Sequence, residues 1–167
     1  YVDPALQQPP PASRPYENVW LDDEFPSGGK LTAAGAALKW VKAEEGKVLS
    51  GKRAIRREEK GLGQDVWETT GAPLEVPLEA RLFASVYLDP TNQPKSIMLQ
   101  YHSGGWDHRM VWGDVEAIEW GAKGTVGRVH AGPLPKVGEW VQLELDAAQV
   151  GLKSGDRITG FAVTQFG

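Results

Sequence analysis

The chain has 167 residues, enough for one domain with a real core. Its net charge is −4 with both signs interspersed and no basic stripe, so nucleic acid is excluded as an expected partner. No apolar run approaches the roughly 18 residues that span a bilayer, and the absence of cysteine excludes disulfides, thiolate nucleophiles and Cys-ligated zinc.

Residues 1–17 read as a Pro-rich linker, because Pro9-Pro10-Pro11 and Pro15 favour extended polyproline backbone and no apolar period is visible. The sequence begins on Tyr1 without a signal peptide, so a processed chain or a piece of a larger protein is expected. The domain proper is expected over residues 18–167. A first strand is predicted over 18–24, ended by Phe25-Pro26-Ser27-Gly28-Gly29. Residues 31–37 are ambiguous, since their alanines favour helix and their glycine does not. Short strands are predicted over 38–41 and within 47–55. Residues 64–70 have β-branched and aromatic strand character. The clearest strand is 81–89, where Leu82, Ala84, Val86 and Leu88 alternate against Phe83, Ser85 and Tyr87. Both of its faces are apolar enough to predict a central position.

Residues 97–113 concentrate the chemistry of the chain: two Trp, a Tyr, an Arg and two of the three His. They read as a hairpin with strands near 96–102 and 106–112 around Ser103-Gly104-Gly105. A two-residue turn at Ser103-Gly104 would pair Tyr101 with Trp106, Leu99 with His108 and Ile97 with Met110. Met98, Gln100, His102, Asp107 and Arg109 would then share the other face. Further on, 114–120 and 125–130 are short strand candidates, and 139–146 is an amphipathic strand. Residues 146–150 form one helical turn capped by Asp146, and 157–166 form a last strand. Nine or ten short strands with Gly- and Pro-rich turns, and no long helix, predict an all-β antiparallel β-sandwich of jelly-roll type.

Several stretches carry a resemblance: Leu82 to Pro90, Ile97 to Tyr101, Trp106-Asp107-His108-Arg109 with Trp112-Gly113, Gly132-Pro133-Leu134-Pro135, Gly138 to Glu144, and Gly160 to Gly167. As a set, over about 19–167, they resemble a jelly-roll accessory domain of large bacterial surface and secreted proteins, notably of planctomycetes. Those domains look like laminin-G-like or carbohydrate-binding modules. Members run on past Phe166-Gly167 into a further strand with a Trp-Asp pair. The resemblance implies an extracytoplasmic, non-catalytic binding role beside covalently linked neighbouring domains. It supplies no ligand residues.

The residue types themselves favour a polysaccharide or other glycan as partner. Sugar recognition needs a flat ring against C–H faces and planar polar groups for hydroxyls. Trp106, Arg109, Gln100, His102, Tyr101, Trp112 and His108 offer these together on the hairpin. The alternatives are a structural or protein-interaction spacer and a jelly-roll glycoside hydrolase or lyase fragment. The latter would use Asp114, Glu116 and Glu119, which resemble a catalytic Glu-x-Asp-x-x-Glu pattern with its first two acids exchanged. That exchange misplaces the shorter carboxylate by over an ångström. No Gly-x-Ser-x-Gly motif is present, and Gly61-Leu62-Gly63 is a turn, not a phosphate loop. His102 and His108 lack an evident third ligand for zinc. A structural calcium at Asp22 and Asp23, or at Asp89, is the metal reading that fits best; no cofactor is required.

Overall fold

The computed structural model describes residues 17–167, so the Pro-rich segment lies outside the described residues except for exposed Glu17. Twelve strands follow in order: β1 Gly29–Ala34, β2 Lys39–Lys42, β3 Arg53–Arg56, β4 Leu62–Thr69, β5 Leu74–Glu75, β6 Arg81–Tyr87, β7 Ser96–His102, β8 His108–Gly113, β9 Val129–Gly132, β10 Trp140–Asp146, β11 Arg157–Ile158 and β12 Gly160–Phe166. The described residues hold no α-helix. The predicted helical turn is a 3₁₀ turn, Ala147–Val150, closed by the Asp146 N–H donating to Gln149 Oε1 at 3.0 Å and ended by Gly151 at φ 79°.

The strands form a six-stranded sheet in the order β1-β4-β12-β7-β8-β9 and three two-stranded antiparallel pairs, β10-β6, β11-β5 and β2-β3. All neighbours in the large sheet are antiparallel except β8 and β9, which run parallel. The chain is therefore all-β, with a mixed sheet where an antiparallel one was expected.

Register assigns the sheet two faces. One carries Trp67, Phe161, Val163, Ile97, Leu99, Tyr101, Met110 and Trp112. These join Leu82, Leu143 and Leu145 from the inward side of β6 and β10, and fully buried Val150 and Ile158, in the main core. We call this the core face. The opposite, outer face carries Met98 and Val111, both fully buried under Val115 and Ile118 from the segment 114–128. That cover stops short of β4 and β1, whose outer-face residues Glu68, Lys30, Thr32 and Ala34 are exposed. The outer face is thus capped on one half and open on the other.

Several expectations are corrected. Residues 18–24 form no strand; they lie across the core face of β4 and β12, where Trp20 meets Trp67 edge-on at 5.0 Å and donates Nε1–H to the Ala72 carbonyl at 3.1 Å. Leu31 belongs to strand β1, so β pairing with β4 overrides the helix preference of the alanines. The stretch 81–89 is not central: β6 pairs with β10 alone, and β12 and β7 occupy the centre of the large sheet. Its outward Phe83 and Tyr87 are half-buried side chains, which on the sequence are indistinguishable from a second core face. Finally, the hairpin turn is longer than two residues. Residues 103–107 connect β7 to β8, so Tyr101 pairs with His108, Leu99 with Met110 and Ile97 with Trp112. The register moves by two residues, which leaves the paired strand side chains on their predicted faces, but Trp106, expected opposite Tyr101, falls in the connection and lies beside His102 on the other face.

Candidate functional site

The hairpin divides its chemistry between the two faces. Tyr101 and Trp112 are core residues, and burial pushes the Tyr101 phenol well above the usual range. His108 also lies on the core face. Its Nδ1 is 2.7 Å from the Val150 carbonyl, which only accepts, so Nδ1 carries the proton. His102 is on the outer face and its Nδ1 is 2.8 Å from the Thr159 hydroxyl. The two imidazoles therefore stand on opposite sides of a sheet and share no metal. Among the described residues no group of three or more His, Asp or Glu side chains is placed to hold one.

Gln100 and Arg109 form a polar spine beneath the outer face. Gln100 is buried; its Nε2 donates to Thr164 Oγ1 at 2.9 Å and its Oε1 accepts from Arg109 Nε at 2.8 Å. The Arg109 guanidinium continues to Asp107 Oδ1 at 3.1 Å and to the Gly127 carbonyl at 3.2 Å. It packs so close to Gly121 that a side chain there would crowd it. These bonds tie the cover segment to the sheet and leave the guanidinium little capacity for a ligand.

Trp106 is the hairpin aromatic that stays at the surface. It is half-buried, edge-on to His102 with ring centroids 5.2 Å apart, and it lies over Gly160, where a Cβ would come within 3.3 Å of the ring. Beside it the Asp107 side chain is 81% exposed. One end of the open outer face thus presents an aromatic ring flanked by an imidazole and a carboxylate.

The other end holds a concave groove of about 370 Å³, floored by Leu62, Phe166, Ile118 and Trp120 and rimmed by Glu116 and Glu119. Here the three acids reappear, on a turn and not on the predicted strand. Asp114 Oδ1 accepts the Glu116 N–H at 2.9 Å, and Glu116 is ion-paired with Lys123. The hydrogen bond from Lys123 is the main reason that the Glu116 carboxyl lies below the usual glutamate range. A glycosidase acid needs the opposite shift. With its folded pKa depressed, Glu116 adds stability at neutral pH that is lost as pH falls through the folded value. An NMR pH titration should find Glu116 titrating below an ordinary glutamate, and Lys123→Ala should return it to the ordinary range.

The carboxylates considered for calcium are engaged locally. Asp23 Oδ1 accepts from the N–H groups of Lys52 at 2.6 Å and Arg53 at 3.0 Å, which lowers its pKa. Asp22 accepts from the Ser50 hydroxyl at 3.0 Å. Asp89 accepts from the hydroxyl of Thr91 at 2.7 Å and from its N–H at 2.8 Å, and is lowered in the same way.

Comparison with protein-family models, with curated proteins and with solved structures finds no match. The groove residues Leu62, Trp120 and Phe166 escaped the sequence reading. Leu62 and Phe166 meet only because β4 pairs with β12 across about a hundred residues of chain. The available signal was Trp120 directly after the acids, an aromatic at the end of a short strand candidate and just before Gly121.

Proposed function

We propose that this domain is a non-catalytic polysaccharide-binding module of a larger secreted or surface protein, built as a β-sandwich of jelly-roll type. The two-layer reading is supported by the shared core between the six-stranded sheet and the β6–β10 pair. The binding reading rests on Trp106, the hairpin ring left half-exposed on an open sheet face between His102 and Asp107. Its ring offers a stacking surface for sugar C–H groups, while the imidazole and carboxylate offer hydrogen bonds to hydroxyls. Binding by preformed stacking and polar contacts requires no bond chemistry, and the site needs no metal or cofactor for it.

Affinity electrophoresis against soluble β-1,4-glucan, β-1,3-glucan, xylan and mannan tests the reading. At least one should retard the wild-type domain, and Trp106→Ala should weaken that binding about tenfold or more with the fold retained. If none retards the wild type, the spacer reading replaces this one.

A further inference from the structure

We infer that the ligand site is not confined to Trp106 but runs beside β12, over the uncovered outer face of β4 and β1, so that the domain takes the interior of an extended, neutral polysaccharide chain. This inference rests on the glycan reading of the Trp106 end. Gly160, which sits under Trp106, and Phe166, which floors the groove, are the first and last residues of β12. Both belong to the outer face: Gly160 is opposite Glu68 and His102, and Phe166 is opposite Leu62 and Ser96. Six residues of strand separate them by about 20 Å. Aromatic rings therefore stand at both ends of one continuous strip.

Between the ends the strip is low and uncharged. The outer-face side chains of β12 here, Ala162 and Thr164, are fully buried, so the accessible surface between the ends is made by half-buried Val66 and Gln64 of β4 and exposed Thr32 and Ala34 of β1. Charge appears at the Trp106 end as Lys30 opposite Glu68, cross-strand partners of opposite sign. At the groove end Glu116 is already neutralised by Lys123, which leaves Glu119 as the free rim acceptor. Amide, hydroxyl and carboxylate groups beside aromatic floors match a chain of hydroxyls. Among the described residues no run of cations lines the strip to hold an acidic polymer, and Glu119 on the rim would repel one. A flat, elongated strip with anchors at its ends selects for chain length, because a short oligosaccharide reaches one anchor and a long one reaches both.

Isothermal titration of the wild-type domain with cello-, laminari-, xylo- and manno-oligosaccharides of two and six residues tests this. For the sugar that binds, the hexasaccharide should bind about tenfold or more tightly than the disaccharide. Trp106→Ala should weaken both. Trp120→Ala should bring the hexasaccharide down to the disaccharide's affinity and leave the disaccharide unchanged. Because Trp120 also packs against the buried cluster of Met98, Val111, Val115 and Ile118, the exposed Leu62→Lys serves as a second variant with the same expected pattern. Equal affinity for both lengths, or full hexasaccharide affinity in both groove variants, would overturn the extended site while leaving the Trp106 reading intact. Preference for polygalacturonate over every neutral chain would also overturn it. No binding of any sugar by the wild type would remove both readings.

Discussion

Replacing Trp67 with alanine is expected to lower the unfolding free energy by about 3–5 kcal/mol, seen as a fall in urea midpoint on the order of 1–2 M. The side chain is 2% exposed, on the core face of β4. Trp20 meets it edge-on, Phe25 stacks on it at 6.2 Å, and Phe161 leans on it at 5.9 Å. Removing the ring leaves a cavity that these three neighbours cannot fill without giving up their own packing. The strand opposite is shaped to the same ring, since a Cβ on Gly29 would overlap the indole. Gly29→Ala should therefore destabilise the wild type and do far less harm in a Trp67→Ala background, a coupling that a double-mutant cycle reads directly. Trp67 is on the face opposite Trp106, so the folded fraction of Trp67→Ala should keep its glycan affinity. Loss of affinity at unchanged stability would mean that the aromatic cluster, and not the outer face, is the binding surface.

That division between the faces shows what the sequence made legible. Alternation located β6 and β10 to within two residues, because a strand with one face in the core must repeat every two residues. Strand β7 was predicted with its observed ends, and the faces of the paired hairpin residues survived a two-residue error in register, since a shift of two preserves the pleat; Trp106, moved from strand to connection, changed face. What alternation cannot supply is the neighbour. The pairing of β4 with β12 joins residues about a hundred positions apart, and the parallel β8–β9 contact follows from the path of the 114–128 cover. The site divided along the same line. The concentration of His, Arg, Gln and Trp in residues 97–113 was visible, but partners decide which of them is spent internally. Gln100 is spent on Thr164 and Arg109, and His108 on Val150. Trp106 is not. The groove end could not be read locally at all, because Leu62, Trp120 and Phe166 come from three separate stretches.

Arg109 separates a ligand contact from a structural tether, and the expected result is a loss of stability. Arg109→Ala should cost about 2–4 kcal/mol. The variant leaves Gln100 Oε1, in a side chain only 2% exposed, without its donor, and it releases the Gly127 carbonyl from the sheet. Each orphaned buried acceptor carries its own desolvation cost, and the charged donor makes these bonds stronger than neutral ones. Arg109→Lys should recover little. A single ammonium keeps the charge but cannot reach Gln100, Asp107 and Gly127 with the planar fork that now spans them. Amide hydrogen exchange should quicken in residues 121–128 in both variants, since the guanidinium pins that segment. Glycan binding should weaken only where Trp120 loses its support, for long chains more than for short ones. If Arg109→Ala instead unfolds within about 0.5 kcal/mol of the wild type and loses disaccharide binding, the guanidinium is a ligand contact after all, and its bonds to Gln100 and Gly127 are incidental to the fold.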